Sequence, residues 1–402
     1  MFARAHVGIA VQLVQAYKGE LPFVHYLKNY FSSHKKHGSR DRKQIAQLCY
    51  CWFRLGKSLH WLTAEERMVA ALFLCSAEPG TLLNALQPNW NLSTSLSVEE
   101  KLAMVTNDKE YSKQELAAGI FPWQSELSAG IDPVLFACSH LQQPDLFIRV
   151  RPAYAQLIPK KLERSGWVFK QEAKDRFRLP NGTRVEELFE LNKELVIQDL
   201  NSQEAGAVVD QVLDALRQQE ELRIWDACAA SGGKSIQLFD RLPGAKLTVT
   251  DIRPSILQNL YQRFKQAGLY SYEGFVADLS KSSKIGEQYE QLPEQDLILA
   301  DLPCSGSGTW SRNPENLCFF DPAAIDEYAS LQKKILKNLL PKLKPGAYLL
   351  YITCSVFRKE NEAVIQWLKE QAGLQPLQVA LLNGYEQKAD SMFVALLRQL
   401  PG

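Results

Sequence analysis

The spacing of apolar residues changes twice along the chain and divides it into three regions. Within residues 1–90, the segments AQLCYCWFRLGKSLHWL and EERMVAALFLCS place apolar residues close to a 3.6-residue period, which is typical of helices that bury one face. From about residue 145, the shorter apolar runs LFIRVRP, GWVFK and RFRLP predict strands. We therefore predict an all-helical domain over 1–140, a small α/β linking segment over 141–200 and an α/β domain over 201–402.

The third region has the pattern of a parallel, doubly wound sheet. Its predicted strands are LRIWDA, KLTVTD, GFVAD, DLILADLP, AYLLYITCS and MFVALLR, with helices between most of them. Alternating strands and helices favour a Rossmann-like α/β domain with helices on both faces of the sheet. Ligands of such sheets bind at the carboxyl ends of the strands. The residues predicted there are Asp226, Asp251, Asp278, Asp301 and Cys354.

The loop DACAASGGKS, residues 226–235, consists of small residues that let the backbone approach a ligand closely. It is neither an ATP-binding P-loop, because Cys228 replaces the first glycine, nor the dinucleotide-binding G-x-G-x-x-G. A carboxylate at Asp251 suits ribose hydroxyls, and one at Asp278 suits an adenine amino group. Together these features predict a nucleoside cofactor without phosphates, S-adenosylmethionine, although each aspartate alone could equally cap a helix. The residues predicted to bind it are Cys228, Ala229, Ala230, Ser231, Gly232, Gly233, Lys234, Asp251, Asp278 and Asp301.

Composition and charge narrow the class of protein. The 402 residues are 46% hydrophobic and 23% charged, as in a soluble globular protein, with a net charge of +1. Residues 1–60 nevertheless hold ten Lys/Arg against two acidic residues, and residues 145–180 hold nine against four. These stretches suggest a polyanionic partner or, as an open alternative, a solvated surface balanced elsewhere. With no apolar run of about 18 residues and an amphipathic first helix, we expect a cytoplasmic protein without a membrane partner.

Cysteine and histidine usage excludes several kinds of site. The eight cysteines form no C-x-x-C pair, which argues against a zinc ribbon and a dithiol centre, and we predict no metal. None of the six histidines lies after residue 140, so a histidine–carboxylate triad confined to the C-terminal half is excluded. Cys304 and Cys354 follow predicted neighbouring strands and should lie close together despite the 50 residues between them.

The motifs DACAASGGKS, DLPCSGSGTWSRNPE and LLYITCSVFRKENEAVI resemble those of the Sun (Fmu) family of bacterial RNA cytosine-5 methyltransferases. The segment SRDRKQIAQLCYCWFRLGKSLHWL resembles the NusB-like helical domain of its small-subunit rRNA members. The resemblance implies methylation of carbon 5 of a cytosine in RNA, with 16S rRNA as the expected substrate. It implies that Cys354 is the nucleophile, that Asp301 contacts ring nitrogen 3 and that Cys304 assists elimination and release.

The same resemblance implies that RNA phosphates bind to basic residues of the helical domain and of the small α/β segment. The residues predicted to bind RNA are Arg40, Arg42, Lys43, Arg149, Arg151 and Arg312. We expect a monomer, because nothing in the sequence demands a partner surface.

The sequence departs from the family pattern at four positions without touching the two thiols. Ser231 stands where the family has proline, and Ile256 stands where it has arginine. Leu302 replaces an alanine, and Ser311 replaces a basic residue. Arg253 or Arg263 could compensate for the missing arginine.

Two alternatives remain open at this stage. An amino-directed methyltransferase would carry a second proline and an aromatic residue where the chain has DLPC. A non-enzymatic RNA-binding or ribosome-assembly factor would be consistent with Ser231 and Ile256, but not with intact Asp301, Cys304 and Cys354.

Overall fold

The computed structural model describes residues 2–106, 111–281 and 285–400, which group into two compact units. The helical unit comprises Met1–Leu127, Ile131–Gln143 and Thr309–Pro322. The sheet unit comprises Ser128–Gly130, Pro144–Gly308 and Ala323–Gly402. The division into three domains at residues 140 and 200 stays a prediction.

The helices and strands have the following bounds. The helices are α1 Phe2–Ala16, α2 Phe23–Ser33, α3 Ser39–Arg54, α4 Ala64–Cys75, α5 Thr81–Leu86, α6 Pro88–Asn91, α7 Val98–Thr106, α8 Lys113–Ile120, α9 Pro133–Ser139, α10 Leu157–Arg164, α11 Leu200–Ala207, α12 Leu213–Arg217, α13 Gly233–Arg241, α14 Pro254–Ala267, α15 Glu287–Gln291, α16 Asn316–Phe319, α17 Ala323–Leu339 and α18 Glu362–Ala372. The strands are β1 Leu146–Val150, β2 Lys170–Ala173, β3 Arg176–Leu179, β4 Leu195–Ile197, β5 Arg223–Asp226, β6 Lys246–Asp251, β7 Tyr272–Val276, β8 Gln295–Asp301, β9 Leu343–Thr353, β10 Gln375–Leu382 and β11 Met392–Arg398.

The N-terminal region is helical, as its 3.6-residue period predicts. Helix α4 begins at a capping box, in which Glu66 Oε2 accepts from the Thr63 N–H at 3.0 Å and Thr63 Oγ1 accepts from the Glu66 N–H at 3.3 Å. Its inward side chains, among them Met68 and Phe73, are fully buried. Within the parts of the chain that the structure describes, no helix has the length and apolar composition to cross a membrane.

A segment from the C-terminal half completes the interior of the helical unit. The ring of Trp310 is buried, and its centroid lies 5.5 Å from that of Trp123 in an edge-on arrangement. The Phe23 N–H donates to Glu315 Oε1 at 3.0 Å, and Leu317 is fully buried. The stretch Thr309–Pro322 is therefore part of the helical unit although more than 160 residues of the sheet unit precede it.

The small α/β segment predicted after residue 141 forms an antiparallel sheet of four strands, in the order β2-β3-β1-β4. The strands predicted from LFIRVRP and RFRLP are confirmed as β1 and β3. The strand predicted from GWVFK is wrong in position, because the observed strand β2 is the polar run Lys170–Ala173. At the edge of the sheet β2 has little apolar surface to bury, so the apolar pattern misplaces it.

The larger sheet has seven strands in the order β10-β11-β9-β8-β5-β6-β7. Strands β9, β8, β5, β6 and β7 are parallel, as predicted, and β11 and β10 add antiparallel to one edge. Successive residues of one strand, such as Leu297 and Ile298 of β8, belong to different buried apolar clusters. Because side chains alternate across a strand, both faces of the sheet are covered, which confirms the Rossmann-like α/β class.

Candidate active site

Five neighbouring parallel strands bring the predicted residues to one edge of the sheet, where their carboxyl ends lie. Strands β5, β6 and β8 end at Asp226, Asp251 and Asp301, and Cys354 directly follows β9. Asp278 follows β7 by two residues. Since these strands run parallel and side by side, their carboxyl ends line a continuous edge, as the sequence predicts.

The loop between β5 and α13 is tightly folded. Its backbone is left-handed at Ala230, with φ 45°, and at Gly232, with φ 78°. A Cβ on Gly232 would lie 2.6 Å from Phe264 Cε1, so close packing against α14 requires glycine there. The Ala230 N–H donates to Asp251 Oδ2 at 3.0 Å, which ties the loop to the end of β6. The first turn of α13, beginning at Gly233, then presents its N–H groups at the same edge.

Asp226 is buried with an incompletely satisfied carboxyl group. Ser235 Oγ donates to its Oδ2 at 2.5 Å, whereas Oδ1 has no hydrogen-bond partner among the described residues. Burial raises the pKa of Asp226 from 3.8 to about 7. The group therefore titrates near neutral pH in the folded protein.

Replacing Asp226 with asparagine should stabilise the cofactor-free protein more at pH 8 than at pH 5. A raised pKa means that the contribution of the protonated acid, complete below about pH 4, is lost as the pH rises through about 7. Asparagine cannot ionise and avoids that loss, so urea unfolding at pH 8 should show a gain of about 1–4 kcal/mol.

Asp278 provides the matched control for that titration. Ser280 donates to Asp278 Oδ1 through its hydroxyl at 2.6 Å and its N–H at 3.1 Å, and this hydrogen bonding lowers the pKa of Asp278. Its charge therefore stabilises the fold above the unfolded pKa, and Asp278→Asn should destabilise the protein at both pH values. An Asp226→Asn gain that is equal at pH 5 and pH 8 would contradict the assignment.

Asp251 is buried and its carboxylate is held in a fixed orientation. Besides the Ala230 N–H, it accepts from the Arg253 N–H at 2.9 Å and from Arg253 Nε at 3.0 Å. The Arg253 side chain is 59% exposed and can move aside for a competing hydroxyl. Ile252, a large apolar side chain that is 55% exposed, lies next to Asp251, although sequence analysis did not single it out.

Lys234 and Asp301 form an ion pair at the centre of the edge. Lys234 Nζ donates to Asp301 Oδ2 at 2.7 Å. Burial alone would lower the pKa of Lys234, but the Asp301 carboxylate outweighs it and the pKa is raised, with Cys354 among the groups that add to this effect. Lys234 is therefore a cation that links the cofactor-loop helix to the end of β8.

The two predicted catalytic thiols are neighbours. Cys304 Sγ and Cys354 Sγ lie 3.3 Å apart, because β8 and β9 pair in parallel and each cysteine follows the end of its strand. The proximity predicted from the sequence is thus confirmed. Hydrogen bonding to Cys354, burial and the nearby Glu360 carboxylate raise the pKa of Cys304 well above its usual range. Cys304 is therefore a thiol in this arrangement.

A buried glutamate that sequence analysis missed joins the two cysteine loops. Glu360 Oε2 accepts from the Ser305 N–H, and Glu360 Oε1 accepts from Ser355 Oγ, each at 2.8 Å. Glu360 is fully buried, which raises the pKa of its carboxyl group. It lies in the quoted run RKENE, and only its burial distinguishes it from the neighbouring surface carboxylates.

The residues predicted to bind RNA differ in exposure: those of the helical unit are exposed or half-buried, and Arg149 and Arg151 are buried. Arg40, Lys43 and Arg312 are exposed and belong to the helical unit. Arg42 is half-buried; its Nε donates to the His37 carbonyl at 2.8 Å, and its guanidinium lies 5.6 Å from the centre of the Phe31 ring. Exposed cations suit phosphate contacts, so RNA binding by Arg40, Lys43 and Arg312 stays a prediction.

The prediction for Arg149 and Arg151 needs correction. Both are buried and pair with Asp240, with Arg149 Nη1 and Arg151 Nη2 each 2.7 Å from its carboxylate. A buried guanidinium that already holds a carboxylate is a poor partner for a phosphate, because the ion pair would have to be broken. These arginines instead attach β1 and the residues after it to α13.

Cys228 and three of the positions that depart from the family pattern have structural surroundings that can be stated briefly. Cys228 is half-buried against an apolar cluster, and burial raises its pKa, so it is not a reactive thiolate. Leu302 is buried in the same cluster. Ser311 accepts a hydrogen bond from Arg54 Nη2 at its carbonyl, 2.9 Å away. Ile256 is half-buried on α14.

Comparison with known proteins identifies relatives of the sheet unit. Residues 213–401 match the family model described as 16S rRNA methyltransferase RsmB/F. Ribosomal RNA small subunit methyltransferase B of Xanthomonas campestris pv. campestris is 31% identical over 214 residues, which are 50% of this chain and 47% of that protein. The chain thus spans about half the length of this curated relative.

Two crystal structures have the same fold. PH0851 matches with a TM-score of 0.64 and 20% identity, over 99% of this chain and 98% of that one. A methyltransferase homolog protein from Pyrococcus horikoshii matches with a TM-score of 0.58 and 24% identity, over 72% of this chain and 96% of that one. Together with the motifs at the strand ends, the match over residues 213–401 supports the resemblance of the chain to the Sun family.

Proposed function

We propose that the protein transfers a methyl group from S-adenosylmethionine to carbon 5 of a cytosine in RNA, through a covalent bond between Cys354 and the base. The observation that carries the proposal is the 3.3 Å separation of the Cys304 and Cys354 sulfurs at adjacent strand ends. An amino nitrogen can attack a methyl group through its own lone pair and needs no thiol. Carbon 5 of cytosine is a poor nucleophile and needs activation by a neighbouring addition.

The loop and strand ends fit S-adenosylmethionine, which supplies an electrophilic methyl group on a sulfonium. A Cβ on Gly233, the first residue of α13, would meet only the Arg263 guanidinium, 4.0 Å away, so the start of this helix has room for a ligand. The buried Asp226 Oδ1, without a partner among the described residues, is a polar atom that a ligand or its bound water can satisfy. Asp251 would hold the ribose hydroxyls, and Ile252 offers an apolar surface for the adenine ring.

Cys354 begins the reaction. Its thiolate adds to carbon 6, a carbon–sulfur bond forms, and the electron pair of the 5,6 double bond moves into the ring, so that carbon 5 becomes nucleophilic. The charge that develops at ring nitrogen 3 is stabilised by Asp301. The Asp301 carboxyl group donates a proton to nitrogen 3 during the addition and takes it back when the 5,6 double bond is restored, and the Lys234 cation, 2.7 Å away, stabilises the carboxylate in between.

Cys304 completes the reaction. After methyl transfer, carbon 5 carries both the methyl group and its original hydrogen. Removal of this hydrogen as a proton restores the 5,6 double bond and expels Cys354 as a thiolate. The hydrogen bond to Cys354 is the first cause of the raised pKa of Cys304, and it is absent once Cys354 is bonded to carbon 6. Cys304 can then release its thiol proton to water and, as a thiolate, accept the proton from carbon 5.

The proposed substrate is small-subunit rRNA. The curated relative from Xanthomonas campestris is named for that RNA. The exposed residues Arg40, Lys43 and Arg312 can contact phosphates without reading sequence. Attack at carbon 6 requires access to the face of the ring, so the target cytosine must be single-stranded or flipped out.

Incubation of the Cys304→Ala protein with 16S rRNA and S-adenosylmethionine should produce a slow protein–RNA band on a denaturing gel. Without Cys304 the elimination slows and the covalent complex accumulates. The band should be absent for the Cys304→Ala/Cys354→Ala double variant, which is the matched control. Mass spectrometry of nucleosides from the wild-type reaction should detect 5-methylcytosine.

Three outcomes would contradict the proposal. Normal multiple turnover by Cys304→Ala would refute the two-thiol mechanism. An N-methylated base in place of 5-methylcytosine would favour the amino-directed alternative. Failure of the folded wild-type protein to bind S-adenosylmethionine at millimolar concentration, measured by calorimetry, would favour a non-enzymatic RNA-binding or assembly factor.

A further inference from the structure

The structure assigns Arg263 the role of a positioning residue that holds the loop 226–235 in the shape that binds the cofactor, an inference that rests on the proposed function. Arg263 lies in α14, one residue before the Phe264 ring that packs against Gly232. It is not a residue that touches the reacting atoms. Its effect is transmitted through Ser231.

Arg263 forms hydrogen bonds with two atoms of Ser231. Its Nη1 donates to the Ser231 carbonyl at 2.9 Å and to Ser231 Oγ at 2.7 Å. Among the described residues, Arg263 forms no ion pair with a carboxylate. Burial lowers the pKa of its guanidinium. A half-buried cation whose hydrogen bonds go to neutral acceptors therefore contributes geometry to the loop rather than charge balance.

Ser231 is the position at which the loop most needs a constraint. It lies between Ala230 and Gly232, which are both left-handed, and left-handed backbone is costly for alanine. Proline, the residue expected at this position from the family pattern, would fix φ near −65° and limit the alternatives open to the unfolded loop. Serine imposes no such limit. The two hydrogen bonds from Arg263, which lies outside the loop, restrain the loop as a proline within it would.

The other end of Arg263 is anchored to the small α/β segment. Its Nε donates to Asn192 Oδ1 at 3.0 Å, and Asn192 Nδ2 donates to Gln266 Oε1 at 2.7 Å. Arg151, the buried partner of Asp240, donates to the Asn192 carbonyl at 3.3 Å. The guanidinium is therefore held in one orientation before any ligand arrives, which is what a positioning residue requires.

A double-mutant cycle between Arg263 and Ser231 tests this role. Arg263→Ala should weaken binding of S-adenosylmethionine roughly tenfold in calorimetry and raise its KM more than it lowers kcat. In the Ser231→Pro background, the same substitution should cost less than about threefold, because proline restores the constraint. Arg263→Lys keeps the charge but cannot reach three acceptors, so it should resemble Arg263→Ala and serves if the alanine variant folds poorly. Lys265→Ala, at an exposed position of the same helix, is the control.

Equal losses in both backgrounds, or no loss on removing the guanidinium, would overturn the inference. Amide hydrogen exchange of residues 226–235 in the cofactor-free protein provides a second readout that does not depend on activity. Exchange should rise in Arg263→Ala and return toward the wild-type rate in the double variant, and unchanged exchange would also overturn the inference. A wild-type protein that binds the cofactor without forming 5-methylcytosine would refute the proposed reaction and leave the coupling between Arg263 and Ser231 intact.

Discussion

Cys354→Ala should lower the rate of methyl transfer by roughly 10⁴-fold or more, because it removes the atom that forms the covalent bond. The loss should appear in kcat, while the dissociation constant for S-adenosylmethionine changes little. The hydrogen bonds that hold the loop around Gly232 and Asp251 go to other atoms, among them the bond from the Ala230 N–H to Asp251 Oδ2. Single-turnover assays with labelled methyl donor on 16S rRNA, combined with calorimetry, measure the two quantities separately.

Cys138→Ala is the matched control for that experiment. Cys138 is half-buried in the helical unit, and burial raises its pKa to about 11, so it is a thiol without nucleophilic character at neutral pH. Its replacement should leave the methylation rate nearly unchanged. Substantial activity in Cys354→Ala would show that another group attacks carbon 6, and Cys304 would then be the first to test.

Asp301→Asn should reduce kcat by roughly 10²–10⁴-fold, the range over which a positioned acid or base contributes. Asparagine retains the shape of the side chain, but its amide is too weak an acid to transfer a proton to ring nitrogen 3. It also ends the ion pair with Lys234, which lies 2.7 Å away. Rates measured under saturating cofactor and RNA would separate the effect on chemistry from the effect on binding.

The other end of the same strand supplies a control for the stability cost of that substitution. Asp296, near the start of β8, is paired with Lys344 at 2.7 Å, so its ion pair matches that of Asp301 in chemistry and distance. Asp296→Asn should destabilise the fold without a comparable loss of kcat. The two variants can be compared by the loss of kcat for each degree by which the melting temperature falls. If that ratio is the same for Asp296→Asn and Asp301→Asn, the role of Asp301 is structural only.

Sequence patterns locate the elements that bury an apolar face and miss those that do not. KLTVTD and MFVALLR coincide with β6 and β11, whose side chains are buried almost throughout. Strand β10 escaped detection because it is an edge strand in which exposed and half-buried residues alternate, with Pro376 near its start. Its pairing with β11 follows from the fold rather than from its own residues.

The candidate site divides in the same way. The meeting of Cys304 and Cys354 follows from strand order, because the ends of adjacent parallel strands are neighbours wherever the loops go. Arg149 is paired with Asp240, which is 91 residues away in the sequence. Counting charges within a short stretch cannot reveal such a pair, so Arg149 was predicted to bind RNA. The sequence points to Arg263 as a possible replacement for the missing arginine, but not to its hydrogen bonds with Ser231. Glu360 was not predicted at all, since it acts on a loop from another part of the chain.

The stretch Thr309–Pro322 has a consequence for how this protein can be cut or recombined. It begins directly after Gly308 in the loop of Cys304, yet its Trp310 and Leu317 complete the interior of the helical unit. No single cleavage site in the chain therefore yields two intact fragments. A C-terminal fragment would expose these apolar side chains and be prone to aggregate, and an N-terminal fragment would lack part of its core. Exchange of the helical unit between relatives would require three crossover events in the gene, one after the codon for Gln143 and one at each end of the segment Thr309–Pro322.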